Sequence, residues 1–240
     1  QPQLVQTVAN TIVQNTSGPK EANDFWSRAE LNLLMALIHY VVNLRDANGN
    51  LLPIEQRGLG DVYRMIATES IEEINRRLAA LPPEHPAKYP HGLFLKAKEN
   101  LWGNIVIGLG NRLAVFQSRL VDKITRNHDV DLLLPGKRPC VYFVIISAQD
   151  SAYRFLSSLF FSLALPQLSN FARLQCAGGR LPVLTNFCLD EYCNIGYLDG
   201  VADSLNSIRG FNMSAQIVVQ SLSQWQEKYP GKEWENQLAT

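Results

Sequence analysis

The run PVLTNFCLDE, residues 182–191, decides the fold: an apolar stretch of strand length that stops in two carboxylates, Asp190 and Glu191. Around it the texture alternates. Cys140 to Ile146 is a continuous series dominated by β-branched and aromatic residues, the mark of a strand covered on both faces. Ser151 to Leu174 reads as a helix broken by Gly178-Gly179, and Pro182 to Leu189 as a second buried strand. Leu198 to Ile208 reads as a short helix closed by Gly210, Ser214 to Val219 as a third strand, and Leu222 to Tyr229 as a helix. Strand, helix, strand, helix, strand implies parallel strands joined by right-handed crossovers, an α/β arrangement whose ligands bind at the carboxyl ends of the strands.

Those ends carry Asp190 and Glu191 on the second strand and Gln220 on the third. An apolar strand ending in Asp-Glu has the form of a Walker B motif. The Asp holds the water shell of Mg²⁺, and the Glu orients or deprotonates the water that attacks a nucleotide. The same two acids alone suit any solvated strand end. Gln220, placed where a polar group can contact a terminal phosphate, strengthens the motif reading. Arg209 ends the intervening helix, either as a favourable charge at a helix C-terminus or as an arginine finger directed at a neighbouring subunit's nucleotide.

Before residue 131 the pattern is helical. Asn23 or Asp24 can cap a helix running to about Arg45, with Phe25, Ala29, Leu33, Ala36, Leu37, Tyr40 and Leu44 on one stripe and Arg28, Asn32, His39 and Asn43 opposite. Ser70 with Glu73 forms a capping box ahead of Ile71, Ile74, Leu78 and Leu81. Pro82 to Gly92 predicts an exposed, stiffened loop in which His85 and His91 are solvated rather than metal ligands. Leu93 to Ser118 is helical in composition but interrupted by Gly103, Gly108 and Gly110. The expected division is an all-α domain over 1–131 and an α/β domain over 132–240.

The chain has 240 residues, 22 basic and 22 acidic side chains and 46% hydrophobic content, which excludes disorder and a disulfide-stapled scaffold. Zero formal charge gives no bulk attraction to nucleic acid or an anionic membrane. Cys140, Cys176, Cys188 and Cys193 lack zinc-site spacing and read as buried, reduced thiols. The apolar runs fall short of the ~20 residues of a membrane helix, so no span is expected. With neither an initiator Met nor a signal peptide, the chain reads as a piece of something longer.

The block from Asp190 to Gln224 (Asp190-Glu191-Tyr192-Cys193-Asn194-Ile195-Gly196, Ser207-Ile208-Arg209-Gly210-Phe211, Val218-Val219-Gln220-Ser221-Leu222-Ser223-Gln224) resembles the type IV secretion coupling proteins. These are membrane-bound, RecA-like hexameric ATPases of bacterial conjugation. Tyr229, Asp24-Phe25-Trp26, Ala29-Glu30, Leu33-Leu34, Val144-Ile145-Ile146-Ser147 and Leu181-Pro182-Val183 match in the same order, so the resemblance covers nearly the whole chain. It implies an all-α domain plus the C-terminal part of a RecA-like P-loop NTPase domain with a mainly parallel sheet. Asp190 would be the Mg²⁺ carboxylate, Glu191 the acid that activates water, Arg209 the trans-acting finger and Gln220 the γ-phosphate sensor. The implied cofactors are ATP and Mg²⁺; the implied partners are a relaxase, single-stranded DNA, secretion-channel components and further copies of the chain in a hexamer. The expected place is the cytoplasmic face of the cell membrane, with membrane helices upstream. Trp26 is read chiefly as a core anchor, with substrate or DNA contact as the alternative.

Two departures qualify the likeness. Tyr192-Cys193 replaces the usual Phe-Ala, and no G-x-x-x-x-G-K-[ST] loop occurs in the 240 residues, so the chain alone is not expected to hold nucleotide tightly or to hydrolyse it. A protein-docking module without a working nucleotide site is therefore the rival, and another hexameric DNA pump a third reading that gives no role to the Phe25-Trp26 helix.

Overall fold

The computed structural model describes residues 2–17, 24–127, 129–146 and 153–239. They fall into two compact units, Gln1–Asp129 and Val130–Thr240.

The first unit is helical: α1 (Pro2–Thr16), α2 (Phe25–Val42), α3 (Leu59–Thr68), α4 (Ile71–Ala79), α5 (Lys88–Phe94), α6 (Glu99–Arg112) and α7 (Arg119–Arg126). α2 starts where a carboxylate can satisfy a free amide, with Asp24 Oδ1 accepting from Ser27 N at 2.7 Å. The alternative cap, Asn23, lies outside the described residues. Ala29, Leu33, Leu34, Ala36, Leu37, Ile38 and Val41 are buried, which makes α2 the centre of the unit against α1, α3, α5 and α6. Its burial is wider than one stripe: His39, expected on the polar side, is also buried, whereas Phe25 is exposed. Helices pack on α2 from several directions, and one turn of the wheel has no outside left.

α4 begins at Ser70, whose Oγ accepts from Glu73 N at 3.2 Å, and Ile74 and Leu78 face inward. The Glu73 carboxylate turns to Arg77 at 3.0 Å and to Arg76. The expected exposed loop over 82–92 is instead helical from Lys88, and Pro90 and His91 are buried. Pro90 stands in the first turn, where a missing amide costs no intrahelical bond. His91 Nε2 meets Asn75 Oδ1 at 2.9 Å, and the ring stacks on Phe94. Nor do the glycines interrupt α6. Gly108 faces α2 so closely that a Cβ would lie 2.0 Å from Glu30 Oε1. Glu30 is buried and bound to Arg112 Nε at 2.5 Å, while Arg112 also donates to Val13 O at 3.2 Å, Ser17 Oγ at 2.8 Å and Ser27 Oγ at 3.1 Å. One guanidinium thus ties α1, α2 and α6 together, a pair whose disruption costs about 3–5 kcal/mol.

The second unit contains a short α8 (Leu134–Lys137), α9 (Arg154–Gln175), β1 (Thr185–Leu189), α10 (Val201–Ile208), β2 (Met213–Ile217), α11 (Leu222–Lys228) and α12 (Glu233–Leu238). β1 and β2 pair in parallel, from Thr185 opposite Met213 to Leu189 opposite Ile217. α10 lies between the two strands in sequence. α9 packs Phe161, Leu165 and Leu168 into the core with Leu189, Tyr192 and Trp225. It is 22 residues long and, among the described residues, the one helix long and apolar enough to cross a membrane. Counting only unbroken apolar runs had set it aside, because its serines interrupt the run. Here two of those serines are buried donors: Ser157 Oγ to Ile195 O at 2.8 Å, and Ser158 Oγ to Tyr197 O.

Two strand expectations are corrected. β1 is buried on one face only, with Thr185 and Leu189 inside and Asn186 and Cys188 outside. Cys140 to Ile146 joins no ladder, and Phe143 and Ile145 are 87% and 94% exposed. A strand exists through its partners, and this run is parted from β1 by a cleft of about 1010 Å³ lined by both segments. For the same reason the thiols are not all buried: Cys140 lies on the unpaired run and Cys188 on the open face, and both are exposed. Residues 147–152, including the expected helix start at Ser151, lie outside the described residues.

Candidate active site

Asp190 and Glu191 leave the carboxyl end of β1, and Gln220 follows the carboxyl end of β2, so parallel pairing brings all three to one edge. The ladder continues past the strands, with Val218 N donating to Leu189 O and Tyr192 N to Val218 O, both at 3.0 Å. Between these bonds Glu191 takes left-handed backbone angles, φ 49° and ψ 44°, a conformation that costs a residue with a Cβ on the order of 1 kcal/mol or more. Asp190 Oδ1 accepts from Glu191 N at 3.0 Å and supports that turn.

The Glu191 carboxylate is held at both oxygens. Gln220 Nε2 donates to Oε1 at 3.3 Å and Asn194 Nδ2 to Oε2 at 2.9 Å. Asp190 and Glu191 are exposed, so the two acids face open space at the sheet edge. Hard oxygen donors of this kind suit Mg²⁺, which takes one or two carboxylates and completes its shell with water and phosphate oxygens. Among the described residues no group of three or more His, Cys, Asp or Glu converges as a self-contained metal cage. The pair therefore fits a metal that arrives with a phosphate ligand, while the sequence supplies no phosphate-cradling loop.

Arg209 follows α10 and precedes β2, which puts it at the opposite end of the sheet from Glu191. It is exposed, and the structure does not bring it to the carboxylates of its own chain. Trp26 belongs to the other unit. It is 39% exposed and packs edge-on against exposed Phe25 at 5.4 Å, so it is no core anchor. At a helix start, side chains point back over the entering chain and away from the packed turns.

Sequence reasoning passed over the support behind the acids. Tyr192 is fully buried, and its hydroxyl meets Tyr229 Oη at 3.0 Å and Gln237 Oε1 at 3.1 Å. Trp225 Nε1 donates to the same Gln237 oxygen at 2.8 Å, and Leu198 N donates to Tyr229 Oη at 3.1 Å. Burial raises both phenols well above their ordinary range. Lys228 Nζ donates to the carbonyls of Tyr192 at 3.1 Å and Cys193 at 2.9 Å, and burial lowers the amine to about 8. Asn194 was detectable as an amide one helical turn after Glu191; the aromatic group, scattered from 192 to 229, with Gln237 beyond it, had no local signature.

In one unit a carboxylate pair and a glutamine meet at the joined ends of two parallel strands, and the other unit is helical. The chain belongs to the type IV secretory system conjugative DNA transfer family, whose profile matches residues 2–240. No curated protein matches it. Among solved structures it is similar to the bacterial conjugative coupling protein TrwBdeltaN70 in a trigonal form with sulphate, at 16% identity and a TM-score of 0.68, covering 100% of this chain and 51% of that one. TrwB with the non-hydrolysable ATP analogue ADPNP matches at 14% identity and a TM-score of 0.66, and TrwB with ADP and Mg²⁺ at 15% and 0.66; 52% of each is covered. The RecA-like coupling-protein fold is thus shared, and this chain spans about half the length of those structures.

Proposed function

We propose that this chain forms the all-α domain, over about 1–131, and the C-terminal part of the motor domain, over 132–240, of a conjugative coupling ATPase. The observation that carries the reading is the Glu191 carboxylate, aimed by Gln220 from the neighbouring parallel strand and followed by Asn194. Mg²⁺-ATP, when bound, supplies a phosphoanhydride whose hydrolysis releases the energy for transport. Asp190 holds the water shell of the metal. Glu191 accepts the proton of the attacking water, and Gln220 lies where loss of the terminal phosphate changes its partner. Arg209, far from its own chain's acids, reaches the site of an adjacent copy in a hexameric ring. The motor drives single-stranded DNA with its attached relaxase toward the channel from the cytoplasmic face of the membrane, and the helical unit receives the relaxase complex.

A second reading, a protein-docking module without hydrolysis, is favoured by the exposed Phe25-Trp26 pair. Glu191→Gln in the complete protein separates the two. The motor reading expects ATP turnover to fall on the order of 10²-fold with nucleotide binding retained. Unchanged turnover would remove Glu191 from the chemistry, and no turnover in the unsubstituted complete protein would leave the docking reading.

A further inference from the structure

We infer that Lys228 is a positioning residue for Glu191: its ammonium group clamps the turn behind the carboxylate and joins it, through α11, to Gln220. The inference rests on the proposed role of Glu191. α11 starts directly after Gln220, where Ser221 Oγ caps Gln224 N at 3.3 Å, and its last residue is Lys228. From there Nζ reaches back to the carbonyls of Tyr192 and Cys193 at 3.1 and 2.9 Å, the first two residues of the 3₁₀ turn that begins immediately after Glu191. The ammonium also lies over the rings of Tyr192 and Tyr229, 5.4 and 5.6 Å from their centroids.

The clamp explains how a strained residue stays in place. Left-handed Glu191 is fixed in front by the β1 ladder and behind by a turn in which the Tyr192 carbonyl accepts from both Ile195 N, at 3.3 Å, and Lys228 Nζ, while the Cys193 carbonyl accepts from Lys228 Nζ. A cation serves here where an apolar side chain of similar length could not, because two carbonyl dipoles and two aromatic faces all present negative potential to one point. The groups facing it are the Cys193 thiol, the Tyr192 and Tyr229 phenols, and the guanidinium of Arg154 on α9. Arg154 repels the ammonium and the burial is costly, so packing alone gives no reason to keep a charge at this position.

The first measurement needs no nucleotide. Hydrogen exchange on this chain should show the amides of Tyr192, Asn194 and Ile195 exchanging on the order of tenfold faster in Lys228→Met, with α9 unchanged, and Lys228→Arg should restore protection. The second uses the complete coupling protein. Lys228→Met should lower kcat on the order of tenfold with KM for ATP kept within about twofold, and Lys228→Arg should keep turnover and move the alkaline limb of its pH profile upward. A Cys193→Ala control should leave that limb in place. Wild-type exchange and kcat in Lys228→Met, or a kcat loss matched by an equal loss of α9 protection, would overturn the inference. If Glu191→Gln also turns over normally, the motor reading fails first; if Glu191→Gln is inactive and Lys228→Met is normal, only the clamp fails.

Discussion

Gln220 Nε2 donates to Glu191 Oε1 at 3.3 Å across the carboxyl ends of two adjacent parallel strands. The two residues are 29 positions apart and meet only because α10 returns the chain beside β1. With Asn194 Nδ2 donating to the other oxygen at 2.9 Å, both carboxylate oxygens are held by amides.

Gln220→Ala in the complete protein should lower kcat for ATP on the order of tenfold. Combined with Glu191→Gln it should add little, because the two groups act as one unit. Steady-state phosphate release on the four proteins of the cycle checks this; independent, additive losses would separate Gln220 from Glu191.

Arg209→Ala should depress turnover on the order of 10³-fold if the guanidinium serves a neighbouring copy. Mixing Arg209→Ala with Glu191→Gln subunits should then recover part of the activity, since some interfaces regain both groups. No recovery on mixing would reduce Arg209 to a charge at the end of α10.

Trp26→Ala should change the unfolding free energy by under about 1 kcal/mol, because the residue is 39% exposed and its ring packs edge-on against Phe25, itself exposed. Relaxase capture by the complete protein should nevertheless weaken. A large stability loss with capture unchanged would restore the anchor role.

Gly108→Ala should destabilise the helical unit by about 1–3 kcal/mol, the usual cost of overpacking, as its methyl displaces the Glu30 carboxylate from Arg112. Urea unfolding monitors it. Ala at Gly103, where nothing lies within 4 Å, should be neutral or mildly stabilising.

Lys228 also predicts a pH effect on stability. Its native amine titrates near about 8 against an ordinary 10.5, so between those values the unfolded chain binds more protons and stability rises with pH. The half-buried Cys193 thiol, raised from 9.0, opposes this at higher pH. Thermal unfolding should therefore move upward from pH 8 to 9 in the wild type and lose that rise, staying level or falling slightly, in Lys228→Met.

The sequence by itself determined whatever depends on neighbours in the chain. Asp24 and Ser70 announce helix starts because a cap bonds amides two or three residues on. The Asp190-Glu191 strand end, the later strand before Gln220 and the change of texture near 131 are equally local, and it was the resemblance of the whole block from Asp190 to Gln224 that pointed to the coupling proteins. Tertiary structure decided what depends on distant neighbours. Apolar content marked Cys140 to Ile146 for burial, but burial needs covering surfaces, and the run lies exposed beside a cleft. Glycine read as a helix breaker until Gly108 proved to be the space occupied by Glu30. His91 read as solvated until Asn75 met it across two helices. Lys228 carried no motif at all: its position behind Glu191 comes from α11 folding back over the 192–194 turn, a closure that the order of residues does not display.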